Sequence, residues 1–378
     1  MSIPISIGNK RYPFVTNPAI NQPPMIDRRD FLQKAAIGAM ALSLPEMPAF
    51  LKEMSMGIVV HSYGLRWDSK VESQKYPGFT NALDLMKHCH QIGAGGVQVV
   101  VKDWTSDFAK KVRSEREKLG LYLEGSIGVP KNAADVPRFE QEVKNAKEAG
   151  MQVLRTVCSG GRRYEAYHSI EAFQQLQKNA LASLQLAVQI LSKHKMKLAV
   201  ENHKDWRAPE LVSMLKQLNS EWVGVTVDFG NSISLLEDPM EVIQTLAPYA
   251  FSTHVKDMAM EEYADGFLLS EVPLGKGILD LPKIIAVCRK HNPNVTFNLE
   301  MITRDPLEIP CLKNEYWPTF VGVSGLELAR TLRMVRQHKN ESPLPRISQL
   351  LPEDRLAAEE QNILACLSYS KNILGLKA

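Results

Sequence analysis

Four residues that can bind a metal ion stand at or near the ends of apolar, strand-like runs in the second half of the chain. Glu201 ends KLAVE, Asp228 ends VGVTVD, and His254 and Glu300 lie within AFSTHVKDM and NVTFNLEMI. The first three follow one another at nearly equal intervals, and Glu300 comes after one interval plus an insertion. Because successive strand residues point to opposite sides of a sheet, all four belong to the more polar side of their strands. The pattern therefore predicts a cluster of three carboxylates and one imidazole.

Such a cluster is expected to bind a divalent cation. Three carboxylates held close together repel one another and are costly to desolvate unless a cation neutralises them. Oxygen-rich ligands with one histidine favour Mn²⁺ or Mg²⁺, with Co²⁺, Fe²⁺ or Zn²⁺ as further options. Taken singly, each residue is better explained as a solvated loop carboxylate or a hydrogen-bonded histidine. The shared register favours a metal site with Glu201, Asp228, His254 and Glu300 as its ligands.

The chemistry that this site suits is removal of a proton beside a carbonyl group. A cation would stabilise the enediolate that forms, and a glutamate, Glu201 or Glu300, would exchange the proton. Lys256 lies on the same side of its strand as His254. We predict that it steadies the enediolate oxygen or pairs with Glu300, and a purely structural salt bridge is the alternative.

Three further residues are predicted to bind substrate. His203 shares the side of Glu201 but lies past the end of its strand, whereas Arg155 and Lys102 end two earlier strands. The alternative for His203 is simple exposure to water. The alternative for Arg155 and Lys102 is an ion pair at the strand ends.

The elements that would position these residues follow a regular rhythm. From residue 52 onward, eight β-rich runs alternate with helix-like stretches, which is typical of a parallel sheet. Eight units in roughly 250 residues predict an α/β fold, a (β/α)8 TIM barrel whose carboxyl-terminal mouth would hold the site. A doubly wound open sheet is the alternative, but no Gly-rich phosphate loop follows the first strand. A long helix is predicted at about 164–194, and Asp265-Gly266 predicts a hairpin turn after the seventh strand.

The chain is predicted to have three parts. Residues 1–51 would be an export signal and linker, 52–302 the barrel, and 303–378 a C-terminal loop and helices packed on the barrel. Arg28-Arg29 precede Phe31-Leu32, an apolar run and Pro45, which is typical of a twin-arginine signal. The run is shorter than the ~20 apolar residues that span a bilayer, so we expect a periplasmic or exported protein without stable membrane insertion. An ordinary amphipathic N-terminal helix is the alternative.

Composition excludes several other classes of protein. The 378 residues include 44% hydrophobic ones, enough for a large core, and 45 Lys and Arg nearly balance 42 Asp and Glu. No basic stripe with interleaved aromatic residues is present, so nucleic acid is not expected as a partner. The five cysteines are scattered without a C-x-x-C pair, which argues against a disulfide framework and against a thiolate zinc site.

Short motifs in residues 55–302 resemble those of the xylose isomerase-like barrels, a superfamily of sugar isomerases and epimerases. The resemblance rests on LAVENH, VTVDFGNS, STHVKDM, PLGKGILDL and FNLEM. It implies that Glu201, Asp228, His254 and Glu300 hold a metal and that the two glutamates transfer protons, one at each face of a bound sugar. Asn231 stands where the sugar 3-epimerases and the apurinic endonucleases of the superfamily have a histidine, and no arginine follows His254 closely. Neither their particular substrate nor DNA cleavage at a trinuclear site is therefore implied.

The resulting prediction is a divalent-metal-dependent sugar isomerase or epimerase that works through an enediolate. Elimination on a 3-keto-glycoside is one alternative, since the same first step can expel a β leaving group. A metal-dependent hydrolase and a non-catalytic sugar-binding protein are two others. The expected partner is a small carbohydrate, and formation of a homo-oligomer is left open.

Overall fold

A closed barrel of eight parallel strands forms the centre of the molecule. The structure, a computed structural model, describes residues 55–67, 69–338 and 343–376. The barrel strands are β1 Met56–Val59, β2 Gly96–Val100, β3 Tyr122–Ser126, β4 Val153–Thr156, β5 Lys197–Glu201, β6 Val223–Asp228, β7 Ala250–Val255 and β10 Thr296–Leu299. Around the sheet the order is β1-β10-β7-β6-β5-β4-β3-β2, and β1 also pairs with β2. The predicted α/β (β/α)8 TIM barrel is confirmed.

Helices connect the barrel strands and bury the outer face of the sheet. In chain order they are α1 Ala82–Gln91, α2 Ser106–Leu119, α3 Val136–Glu148, α4 Arg163–Ala166, α5 Ile170–His194, α6 Ala208–Leu218, α7 Pro239–Leu246 and α8 Leu281–His291. Val223, Val225 and Val227 of β6 alternate with polar residues and belong to the main apolar core. The apolar side of each such strand thus packs under the helices, which leaves the polar side for the barrel interior.

Two predicted elements differ in detail from the structure. The helix predicted at about 164–194 is two helices, because Ser169 is extended and its side chain accepts a hydrogen bond from the N–H of Ala172 to begin α5. The seventh strand does not run to residue 258, since β7 ends at Val255 and a separate strand starts at Asp257.

A small antiparallel sheet and two C-terminal helices extend the barrel. Strands β8 Asp257–Tyr263 and β9 Gly266–Val272 form the hairpin, which turns at Ala264 and Asp265, and β11 Leu307–Ile309 pairs with β9. Helices α9 Gly325–Gln337 and α10 Pro352–Tyr369 follow. Ile363, Cys366 and Leu367 of α10 belong to the main apolar core.

The N-terminal predictions lie outside the described part of the chain. The twin-arginine pattern and its apolar run fall within residues 1–54, so export by this route stays a prediction. Among the residues that the structure describes, none of the helices combines the length and apolarity required to cross a bilayer.

Candidate metal centre

The four predicted ligands meet at the carboxyl-terminal end of the barrel. Glu201 ends β5, Asp228 ends β6, His254 lies in β7 opposite Asp228, and Glu300 directly follows β10. All four side chains are buried, and one ligand atom from each lies within 4.8 Å of the others. His254 Nδ1 is 3.4 Å from both Glu201 Oε2 and Glu300 Oε1 and 3.9 Å from Asp228 Oδ2. The four groups are therefore close enough to share one ion.

The orientation of His254 suits a metal ligand. Its Nε2 is 2.9 Å from Gln98 Oε1, and Gln98 Nε2 donates at 2.9 Å to a carboxylate oxygen of Glu124. Because that carboxylate accepts, the amide of Gln98 turns its oxygen to His254, and His254 Nε2 carries the proton. The buried Nδ1 has no hydrogen-bond partner and faces the three carboxylates. An imidazole nitrogen with three carboxylates is a donor set that fits a divalent cation.

The electrostatics of the cluster favour positive charge. Burial opposes the charged form of His254, but Glu300 and Glu201 outweigh it and raise the pKa of the imidazole. Lys256 Nζ lies 2.8 Å from Asp228 Oδ2 and 2.5 Å from Glu300 Oε2. Burial opposes ionisation of Glu300 as well, but Lys256 and His254 keep the pKa of that carboxyl well below its usual value. Glu300 is therefore ionised and able to accept a proton at neutral pH.

A polar floor closes the barrel below the cluster. Glu124 accepts hydrogen bonds from Gln98, Ser252 at 2.7 Å, Asn298 at 3.0 Å and Thr296. One step lower, the Tyr122 hydroxyl donates to the carbonyl oxygen of Phe297 at 2.9 Å. The Tyr122 ring fits because two strand neighbours are glycines: a Cβ on Gly57 or Gly96 would lie within 2.5 Å of Tyr122 atoms. Side chains thus fill the lower half of the barrel.

The other predicted site residues divide into two groups. His203 and Arg155 line a cavity of about 330 Å³ above the metal centre, and Glu300 forms part of its base. Arg155 Nε donates at 2.6 Å to Glu201 Oε2, and burial lowers the pKa of His203 to about 3, which keeps that imidazole neutral. Lys102, in contrast, is not brought to the cavity. Its side chain is 75% exposed and pairs with Asp103 at 3.8 Å.

Several cavity residues were missed by the sequence analysis. His61 directly follows the run MGIVV, and its Nδ1 is 3.4 Å from Glu300 Oε1. Its place after a strand is the same signal that identified the four ligands. Arg162, Lys204 and Arg304 also line the cavity, but they lie on loops where strand alternation gives no signal.

A closed barrel with an acidic, histidine-containing cluster at the carboxyl-terminal ends of its strands is the arrangement of TIM-barrel enzymes, whose active sites lie at that end. The particular family follows from sequence. The profile of the xylose isomerase-like TIM barrel family matches residues 86–318, and the chain belongs to that family. The family predicted from the motifs is thus confirmed.

The individual relatives share only a small part of their sequence with this chain. The chain is 24% identical over 246 residues to 3-oxo-isoapionate decarboxylase of Pectobacterium atrosepticum, a match that covers 64% of this chain and 83% of the relative. The crystal structure of a D-psicose 3-epimerase, determined in the presence of D-fructose, superposes with a TM-score of 0.55 at 15% identity over 85% of this chain and 100% of that one. The 3-keto-D-glucoside 4-epimerase of E. coli superposes with a TM-score of 0.50 at 12% identity, covering 75% and 99% of the two chains. These two structures show a shared fold.

Proposed function

We propose that this protein is a divalent-metal-dependent sugar isomerase or epimerase that removes a proton beside a carbonyl group. The proposal is carried by the convergence of Glu201, Asp228, His254 and Glu300, of which Glu300 also lines a cavity large enough for a small sugar. Mn²⁺ and Mg²⁺ suit the oxygen-rich donor set best. Membership of the xylose isomerase-like family supports the reaction class.

The residues of the cavity and of the candidate metal centre have separate roles in the proposed reaction. A divalent cation held by the four ligands would supply Lewis-acid polarisation of the substrate carbonyl. Glu300, ionised and partly open to the cavity, takes the proton from the adjacent carbon. The electron pair of that C–H bond moves toward the carbonyl oxygen, and Lys256, which stays charged between Asp228 and Glu300, stabilises the negative charge that develops.

The return of the proton determines the product. Glu201 belongs to a different strand from Glu300 and is oriented by Arg155, whose Nε donates to it. For an epimer, Glu201 donates a proton to the opposite face of the same carbon while Glu300 keeps the proton that it removed. For an isomer, Glu300 returns its proton to the neighbouring carbon. His61, close to Glu300 and 43% exposed, can relay the proton between that carboxylate and the cavity.

Deuterium wash-in tests the proposed reaction. Purified protein is analysed for metal content, loaded with Mn²⁺ and incubated with keto-sugars and 3-keto-glycosides in deuterated buffer. The expected result is deuterium at the carbon beside the carbonyl, with loss of exchange by about 10²-fold or more in Glu300→Gln, since the base is removed. Glu117→Gln, on the exposed face of α2, is the matched control and should exchange as the wild type does.

The same spectra separate the alternatives. Elimination would release an unsaturated product after the same exchange, and the enediolate step would stand. A hydrolase would cleave substrate without any exchange, and a binding protein would bind sugar without turnover. Either of the last two results would overturn the proposed reaction.

A further inference from the structure

Ten charged side chains, five of each sign, line the cavity, belong to the metal centre or pair with one of these residues. The cations are Arg155, Arg162, Lys204, Lys256 and Arg304, and the carboxylates are Glu165, Glu201, Asp228, Glu271 and Glu300. A divalent cation at the centre would leave this region with a surplus of two positive charges. The proposed proton transfer does not change that surplus, because the enediolate gains a negative charge as Glu300 loses one.

Four of the five cations already have carboxylate partners. Arg155 pairs with Glu201, and Lys256 pairs with both Asp228 and Glu300. Nearer the opening, Arg162 pairs with Glu165 at 2.5 Å. Arg304 donates to Glu271 through two nitrogens. These pairs occupy every carboxylate of the set.

Lys204 is the exception. Its side chain is buried yet lines the cavity, and within the described part of the chain it forms no ion pair with a carboxylate. Its Nζ donates to Asn231 Oδ1, a neutral acceptor, and Asn231 Nδ2 donates at 3.0 Å to Glu201 Oε1. The Lys204 carbonyl accepts a hydrogen bond of 2.7 Å from the N–H of Arg163, which fixes the backbone on which the ammonium is carried.

We propose that the substrate carries a carboxylate and that Lys204 binds it, in a cavity that Arg162 and Arg304 also line. This inference rests on the proposed function for the count of charges, and it narrows the substrate to an acidic keto-sugar. A buried ammonium without an anionic partner is costly, and a carboxylate delivered by the substrate removes that cost while making a charge-assisted hydrogen bond.

The protonation state of Lys204 is compatible with this role. Burial, together with the nearby charge of Lys256, lowers the pKa of Lys204 to about 8. The ammonium form therefore still predominates at neutral pH. A bound carboxylate would favour that form further, because an opposite charge at short range stabilises it.

A comparison of two non-reacting ligands tests the proposal without turnover. D-Gluconate and D-glucitol have the same carbon chain and differ by a carboxylate in place of a hydroxymethyl group. Calorimetric titration of the Mn²⁺-loaded protein should show gluconate binding at least about 10-fold more tightly, which is the lower range for a hydrogen bond to a charged group. Lys204→Met should lose that preference, Lys204→Arg should keep most of it, and Lys110→Met, exposed on α2, should leave it unchanged.

Metal content and circular dichroism are measured for each variant to separate binding from folding. If Lys204→Met does not fold, Arg162→Gln, at the edge of the cavity, takes its place and should reduce the gluconate preference several-fold. Equal affinity of the wild type for the two ligands would overturn the proposal. So would gluconate affinity that survives in Lys204→Met, since the carboxylate would then be bound by another group. Failure of the proposed function would appear separately, as absence of deuterium exchange in acidic and neutral keto-sugars alike.

Discussion

At the scale of single residues, Gln98 controls the orientation of the histidine in the metal centre. Its side-chain amide spans Glu124 below and His254 above, with both contacts at 2.9 Å. The amide can satisfy both neighbours in only one orientation, so the imidazole presents Nδ1 to the carboxylates. Gln98 contacts no other ligand of the cluster in this arrangement and acts through His254. We therefore predict that Gln98 is a positioning residue for the proposed metal site.

Replacement of Gln98 tests this role through metal affinity. Gln98→Met keeps the volume of the side chain but removes the acceptor for His254 Nε2. We expect the Mn²⁺ affinity to fall by about 10- to 100-fold, which is the usual effect of losing such a partner of a metal-bound histidine. Competition with a fluorescent chelator measures the affinity, and Gln175→Met on the exposed face of α5 is the control. An affinity within twofold of the wild type would show that Gln98 does not orient the ligand.

Strand alternation predicted the residues at the centre better than those at its edge. The four predicted ligands and Lys256 do lie together, because each is in a strand or one residue beyond its end, where alternation still holds. Lys102 was placed wrongly in register because β2 ends at Val100, and Asp103 then turns with a φ of 62°. Lys204 was not identified as a site residue, since its position depends on a loop held by contacts distant in sequence.

At the scale of elements, Asp257 joins the hairpin to the turn that leads into α8. Its carboxylate accepts hydrogen bonds from the N–H groups of Met258, Gly275 and Gly277, each at 2.9 Å, and from Leu279 at 3.1 Å. The close approach needs a glycine, because a Cβ on Gly277 would lie 2.2 Å from Asp257 Oδ1. This contact explains the PLGKGILDL motif, and it fixes the residue next to Lys256.

Loss of this carboxylate should destabilise the molecule. Asp257→Asn turns an NH2 group toward backbone N–H donors, and we expect the free energy of unfolding to fall by about 1.5–3 kcal/mol. Urea denaturation followed by circular dichroism provides the measurement. Asp265→Asn at the tip of the hairpin, an exposed partner of Lys313, should cost less than about 1 kcal/mol. Equal effects of the two changes would contradict the special role of Asp257.

The pattern of elements was predictable where local signals were strong. Alternating apolar runs predicted the eight units, and Asp265-Gly266 predicted the hairpin, since both depend on neighbours in the chain. The break between α4 and α5 was missed. It depends on Ser169 as a cap and on Arg163, which donates to Thr319 in a distant loop. A single sequence does not reveal such a partner.

At the scale of the whole molecule, a buried ion pair ties the C-terminal helix to the loop after β1. Arg66 Nη1 donates at 2.6 Å to Glu360 of α10, and its guanidinium lies 4.2 Å from the centre of the Phe79 ring. Glu359 accepts from the N–H groups of Leu65 and Arg66 at 2.7 and 3.2 Å. The helix thus contributes charge contacts as well as apolar packing to the first β/α unit.

Removing one partner of this pair should lower the free energy of unfolding strongly, and removing both partners should lower it less. Arg66→Met leaves Glu360 without its strongest partner, and we expect a loss of about 3–5 kcal/mol in the free energy of unfolding. The double variant Arg66→Met/Glu360→Leu should recover part of that loss, because no buried charge remains unpaired. Chemical denaturation of both is compared with Arg113→Met, which removes an exposed pair on α2 worth about 1 kcal/mol or less. If Arg66→Met lowered the free energy of unfolding by only about 1 kcal/mol, the pair of Arg66 and Glu360 would not contribute to stability as predicted.

The floor of Tyr122 and Glu124 closes the lower end of the barrel, so the cavity at the other end is the route to the centre that the described residues show. A molecule that enters the cavity passes four cationic and two anionic side chains. These are Arg155, Arg162, Lys204 and Arg304, and Glu165 and Glu300. A metal cation on its way in would be repelled at this entrance, whereas an anion would be drawn toward it. Added salt would screen these charges, so it would raise the association rate of the metal cation and lower that of an acidic sugar.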